Sequence, residues 1–281
     1  MPLSWRYVAG SVIGQAHVEN GLPCQDANAV AVCACPSGDD ALVVVVSDGA
    51  GSAACAAEGS RFVCDSFVTR VSELLATGAL LPVAEAKLAE VFRQTAEMLC
   101  AQAEDRGLSP RQFACTFLAA IVWPDQMACL QLGDGAIVYS SEAGYAWAVW
   151  PQSGEYINTT NFVTDPAACE RLEIKIAPGT SVAEVALFTD GLQMLALRYE
   201  DRTVHAPFFQ PMFARLRTEP PGESAVLTPL LRDFLSSPRV LERTDDDKTL
   251  VLASRSAAVT PPPPALPSLQ ESPCATEGNA T

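Results

Sequence analysis

The run Leu42-Val43-Val44-Val45-Val46 is apolar at every position and reads as a buried strand. Asp39-Asp40 bounds it on one side and Asp48-Gly49 on the other, which predicts a strand over 41–47. Trp5 to Val12 and Ala27 to Cys35 also read as strands, joined by a loop carrying Gly21-Leu22-Pro23. Ser52 stands where its hydroxyl could cap a helix. Val63, Phe67, Val71 and Leu74 then recur at helical spacing, to about Leu75. A second helix is expected after Pro82, with Leu88, Val91, Phe92 and Leu99 as its apolar stripe, ending near Gly107.

The middle of the chain alternates strand-like runs with turn residues. Phe113 to Trp123 and Met127 to Leu132 flank Pro124-Asp125-Gln126. Ala136 to Ser140 and Tyr145 to Trp150 flank Glu142-Ala143-Gly144, and Leu172 to Ile176 and Val182 to Thr189 flank Pro178-Gly179. Pairs of this kind predict antiparallel meanders. Helical character returns over 192–197, 208–216 and 224–235, and Thr249 to Ala253 supplies a last strand. Helices, then strands, then helices and a strand predict a layered α+β domain over 1–254. Residues 255–281 carry Pro261-Pro262-Pro263-Pro264 and little core-forming material, and are expected to be a disordered tail.

Composition narrows the function. At 281 residues and 49% hydrophobic, the chain can bury a substantial core. A net charge of −15 argues against nucleic acid as partner, because a phosphate backbone would be repelled. No apolar stretch is long enough to span a bilayer, and the N-terminus does not read as a secretory signal. The ten cysteines, mostly in apolar segments, are therefore expected to be reduced thiols in the cytoplasm. Cys33-x-Cys35 lacks the second pair that a structural zinc site needs. With only His17 and His205, and no Gly-x-Ser-x-Gly turn, a Ser-His-Asp hydrolase is disfavoured.

Four acidic motifs carry the candidate chemistry: Cys24-Gln25-Asp26, Ser47-Asp48-Gly49-Ala50-Gly51-Ser52, Phe188-Thr189-Asp190-Gly191 and Asp245-Asp246-Asp247-Lys248-Thr249. A single Asp-Gly is ordinarily a turn. Here Asp48 and Asp190 each follow an apolar run, and Asp245-Asp246-Asp247 closely precedes another. Gly133-Asp134-Gly135 follows a further one. Carboxylates gathered at strand mouths repel one another unless protons or cations neutralise them, and hard cations such as Mg²⁺ or Mn²⁺ prefer such oxygen ligands.

In order and spacing, these motifs resemble the metal-dependent PP2C-type protein serine/threonine phosphatases. The resemblance is strongest to the bacterial branch with Ser-Val-Ile-Gly-x-x-His followed by Pro-Cys-Gln-Asp. Here these are Ser11-Val12-Ile13-Gly14-Gln15-Ala16-His17 and Pro23-Cys24-Gln25-Asp26, and the likeness runs from about Trp5 to Ala253. The resemblance implies an α-β-β-α sandwich, two antiparallel sheets flanked by helices with metals at one end. It also implies hydrolysis of phosphoserine or phosphothreonine by a hydroxide bridging two Mn²⁺ or Mg²⁺ ions about 3.5–4 Å apart. Asp48 would be the bridging ligand, with Gly49 offering its carbonyl; Asp190 and Asp246 would be further ligands. Asp26 would orient metal-bound water, Gln25 would coordinate directly or through water, and Asp134 matches a third, weaker site. Asp245 and Asp247 read equally as solvated turn charges.

Departures from the pattern qualify these roles. Gln25 stands where many relatives have glutamate, and Met194 stands where a second acid of the third site is expected, which argues against that site. Ala50 replaces a histidine, and Gly21 replaces a phosphate-gripping arginine. His17 and Arg6 are candidate substitutes, and Asn161, within Asn158-Thr159-Thr160-Asn161-Phe162, is a candidate at the substrate entrance. The expected partners are phosphoserine and phosphothreonine proteins and a Ser/Thr kinase, and a monomer is expected. The alternative is a pseudophosphatase, a binding module that senses phosphoproteins or a partner kinase.

Overall fold

The computed structural model describes residues 3–36, 38–80, 84–141, 143–152, 160–178 and 182–257. In chain order the elements are β1 (Leu3–Val12), α1 (Gln15–Glu19), β2 (Ala27–Ala34), β3 (Asp40–Ser47), α2 (Ala56–Ala76) and α3 (Glu85–Asp105). There follow β4 (Phe117–Val122), β5 (Gln126–Leu132), β6 (Ala136–Ser141), β7 (Gly144–Val149), α4 (Ala168–Arg171), β8 (Glu173–Pro178) and β9 (Glu184–Phe188). The last part holds α5 (Gln193–Ala196), β10 (Leu197–Arg198), β11 (Thr203–Val204), α6 (Ala206–Leu216), β12 (Gly222–Glu223), α7 (Leu227–Leu235), α8 (Pro238–Leu241) and β13 (Lys248–Ala257).

Two sheets carry the domain, with strand orders β2-β3-β4-β5-β8 and β12-β1-β13-β9-β6-β7. All their pairings are antiparallel except the short β1–β12 contact. The uniform apolarity of β3 now has its reason. Leu42, Val44 and Val46 pack into the layer between the sheets, with Trp5, Leu118, Leu187 and Val251. Val43 and Val45 face the other way, into a core with Val63, Phe67, Val71, Phe92 and Leu99 of α2 and α3. The second sheet turns Val138, Phe188, Leu250 and Leu252 toward Phe209, Phe213 and Leu231 of α6 and α7. The result is the expected four-layer α-β-β-α sandwich. Among the described residues no helix is long and apolar enough to cross a membrane.

Several local expectations are corrected. Residues 172–176 and 182–189 do not form a hairpin, because β8 pairs with β5 in one sheet and β9 joins β13 and β6 in the other. Alternation marks which face is buried, but both sheets bury their inner faces, so it does not say which sheet a strand enters. Helix α2 begins at Ala56 rather than at Ser52. The N–H groups of Ala54 and Cys55 instead donate to Gln112 Oε1 and Gln112 O, so residues 51–55 are held as turns. Residues 110–113 form a 3-10 turn, and β4 starts only at Phe117. Strand β13 runs to Ala257 and pairs there with Leu3, so the domain extends past Ser254. The tail assigned to 255–281 lies, from residue 258 onward, outside the described residues.

Candidate metal centre

Strand register brings the acidic motifs to one end of the sandwich. Ala27 is paired with Ser47, so Asp26 and Asp48 leave adjacent strands side by side. Phe188 is paired with both Leu250 and Ala136, which sets Asp190 between Asp134 and the 246–248 segment. Asp134 lies where the chain crosses from β5 in one sheet to β6 in the other. Carboxylate oxygens of Asp48, Asp134 and Asp190 all lie within 4.8 Å of one another.

Burial and mutual repulsion act together on these groups. Burial raises the Asp48 carboxyl well above the ordinary range, and the charges of Asp26, Asp190, Asp134 and Asp246 push the same way. Burial, reinforced by Asp134 and Asp246, raises Asp190 to about 7. Burial likewise raises Asp26 to about 8, against the lowering effect of hydrogen bonds from Thr189 and Thr249. Asp134 is also raised, mainly by burial, with Thr160 Oγ1 donating to its Oδ2 at 3.0 Å. Gln25 Oε1, Asp26 Oδ1 and Asp190 Oδ1 are buried with no hydrogen-bond partner among the described residues. Buried polar atoms are rarely left so, and an oxygen-only donor set of excess negative charge fits a hard divalent cation.

The individual expectations fare unevenly. Asp48 and Asp190 stand together, and Asp134, the position matched to a third, weaker site, is grouped with them. Asp26 is just behind, its Oδ2 accepting from Thr189 Oγ1 at 2.8 Å. Asp246 is exposed and outside the three-carboxyl group; its Oδ1 accepts from the Asp247 N–H at 2.8 Å. Gly49 pairs with Cys115 through flanking residues, since Ala50 N–H donates to Ala114 O and Thr116 N–H to Asp48 O. Its own N–H donates to Gln25 O, and a Cβ there would sit 2.7 Å from that oxygen. Met194 is 73% exposed, so it contributes no ligand to the cluster.

Two substitutes for the missing arginine are corrected. Arg6 is buried in mid-strand and donates to Arg217 O. It lies six residues back from Val12, roughly 20 Å along the strand from the acidic end. His17 turns its Nδ1 to Asp247 Oδ2, 2.9 Å away, instead of presenting that nitrogen to a phosphate. Asn161 is placed at the rim, where its Oδ1 accepts from Arg171 and its Nδ2 approaches Gln152. Asn158 and Thr159 lie outside the described residues.

Asp247 is the residue that the sequence undervalued. It is 2% exposed, not a solvated turn charge. Its Oδ1 accepts from the Gly14 N–H at 2.6 Å, and its Oδ2 from the Gln25 N–H at 2.5 Å. It thereby ties the β1 exit, the Gln25-Asp26 motif and the β13 entrance together. Gly14 makes this possible, because a Cβ there would lie 2.3 Å from the Asp246 carbonyl carbon. Beneath them Lys248 is fully buried and donates to Asp246 O at 2.9 Å, placing a cation under the carboxylates. Thr160, Thr189, Ser60 and Thr249 also carry no recognisable signal alone. Their roles come from register: Ser60 Oγ donates to Gln25 O, and the Thr249 N–H to Thr189 Oγ1.

Comparison with known proteins agrees with this geometry. Residues 13–236 match the protein phosphatase 2C family. The chain is 40% identical over 253 residues to serine/threonine-protein phosphatase 3 of Escherichia coli (strain K12), covering 89% of this chain and 98% of that protein. Among solved structures it resembles a bacterial serine phosphatase, with a TM-score of 0.62 at 15% identity, covering 90% of this chain and 99% of that one. It also resembles Stp1 of Staphylococcus aureus, with a TM-score of 0.59 at 16% identity, covering 88% and 94%. The chain belongs to the protein phosphatase 2C family, and is a PP2C-type serine/threonine phosphoprotein phosphatase.

Proposed function

We propose that this phosphatase removes phosphate from phosphoserine and phosphothreonine in proteins at two Mn²⁺ or Mg²⁺ ions held by the acidic cluster. The observation that carries the reading is the cluster of Asp48, Asp134 and Asp190, with partnerless buried oxygens on Asp190 itself and on Gln25 and Asp26. When bound, the cations supply an acidified attacking water and neutralise charge on the phosphoryl oxygens. Asp48 and Asp190 are the principal holders, with Gln25, Gly49, Asp134 and Asp246 around them. Asp26, fixed by Thr189, keeps one oxygen free to orient water. Asp247 fixes the backbone of Gln25, and so aims its Oε1. Ala50 offers no acid, so the leaving alkoxide takes its proton from water. Retention of Asp26, Asp48, Asp190 and Asp246 weighs against a pseudophosphatase. A Ser/Thr kinase making these phosphoesters is the opposing partner.

The test is Mn²⁺-dependent phosphate release from a phosphothreonine peptide by the full chain, with chelator controls. Asp48→Asn and Asp190→Asn should each lower turnover by at least about a hundredfold with the fold intact. Near-normal turnover in either variant, with metal content confirmed, overturns the assignment.

A further inference from the structure

An apolar groove of about 420 Å³ opens between α6 and α7, floored by Val8 and Leu252 and walled by Phe208, Met212 and Phe234. Leu230 on its rim is 51% exposed, a large apolar side chain with no cover. The groove joins a second cavity of about 290 Å³, sharing Leu195, His205 and Arg239 with it. That second cavity is lined by Arg198, Arg243, Glu242 and Met194. Met194 adjoins Gln193, whose Nε2 donates to Asp134 O in the acidic cluster. The path therefore starts beside the metal centre, passes arginines, and ends in an apolar slot.

The charge of this path is opposite to that of the chain. The protein carries −15 overall, yet Arg198, Arg239 and Arg243 line the path and Arg215 lines the groove. None of these four forms an ion pair among the described residues. Arg198 acts on Asp201 and donates to His205 Nδ1. With Glu242 the one acid lining the path, three arginines on an acidic protein still leave excess positive charge that selects an acidic ligand. An apolar slot beside them selects a hydrophobic or aromatic anchor.

We propose that this path is a docking groove for the polypeptide substrate. It takes an acidic stretch flanking the phosphorylated residue, followed by an apolar or aromatic side chain seated between α6 and α7. The proposal rests on the reading of the acidic cluster as the catalytic site. Helix α6 has eleven residues, about 16 Å, so roughly five extended residues span the slot. The slot lies beyond the arginine-lined cavity from the acidic cluster, so a peptide must extend past that cavity to seat the anchor.

The test uses the full chain loaded with Mn²⁺. Its probes are p-nitrophenyl phosphate, a short phosphothreonine peptide, and that peptide extended in either chain direction by an acidic run ending in Phe. One extended peptide should show about a tenfold lower KM than the short one. Leu230→Glu and the double variant Arg239→Glu, Arg243→Glu should each abolish that gain and leave p-nitrophenyl phosphate turnover unchanged. A fluorescent, unphosphorylated version of the extension should bind wild type and lose at least about tenfold in affinity to either variant. That reading is independent of catalysis, so failure of the catalytic assignment would appear separately, as no metal-dependent turnover of any substrate. Equal KM values for short and extended peptides overturn the docking groove. So would a rise in short-peptide turnover on truncation after Ala257 that Leu230→Glu reproduces, since the groove's occupant would then be the chain's own C-terminal segment. A groove-dependent dimer in sedimentation would overturn it too.

Discussion

Asp247→Ala should unfold the metal end of the sandwich more than any loss of a nearby carboxylate. Its two oxygens accept from the Gly14 and Gln25 N–H groups at 2.6 and 2.5 Å, in a site 2% exposed. Removing the carboxylate leaves two buried donors without acceptors, at about 1–3 kcal/mol each. His17 loses its partner as well, and the total is about 4 kcal/mol. For a domain of this size each kcal/mol moves the melting midpoint by roughly 2–4 °C, so a drop of roughly 8–16 °C is expected. The measurement is thermal unfolding in chelator, which separates this effect from metal binding. Asp247→Asn retains one acceptor and should lose about half as much. Mn²⁺ titration should show weaker binding in both variants, because Gln25 and Asp246 are no longer held in place. A midpoint within about 3 °C of wild type for Asp247→Ala would refute the reading of Asp247 as the tie between the three segments.

Gln25→Glu should tighten Mn²⁺ binding in calorimetry, because its partnerless Oε1 would be replaced by a charged oxygen; unchanged or weaker affinity would remove Gln25 from the ligand set. In the metal-free protein burial, reinforced by the neighbouring carboxylates, pushes Asp26 up to about 8 and Asp190 up to about 7, from an ordinary 3.8. A folded-state value above the unfolded one means that the folded form holds the extra protons. Stability in chelator should therefore fall as pH rises from about 4 to about 8, and saturating Mn²⁺ should flatten the profile. A chelated melting curve independent of pH over that window would contradict it. Truncation after Ala257 should leave the melting temperature and p-nitrophenyl phosphate turnover unchanged. Truncation after Ser254 should lower the melting temperature, because it removes backbone paired with Leu3, Ser4 and Trp5 and the Arg255 guanidinium stacked 5.5 Å from the Trp5 ring. Equal stability of the two truncations would place the domain's end at residue 254.

Much of the architecture was legible in the sequence because its signals are local. The apolar run of β3, the helical stripes of α2 and α3, and the Asp-Gly pairs after strands each need only neighbouring residues to be read. Asp48 and Asp190 could thus be chosen as central acids from strand-mouth position together with the family resemblance. What the sequence could not decide was pairing. Whether β8 continues to β9 or crosses to another sheet depends on partners far along the chain, and both outcomes have the same alternation. The same holds for the triplet 245–247, three identical aspartates in a row. Only the folded backbone turns Asp246 to the surface and Asp247 inward to meet Gly14, His17 and Gln25, each more than 200 residues away. Composition fixes how many carboxylates the chain has and local pattern fixes which ends of strands they occupy. Tertiary register alone decides which of them lose their water, and therefore which are left needing a cation.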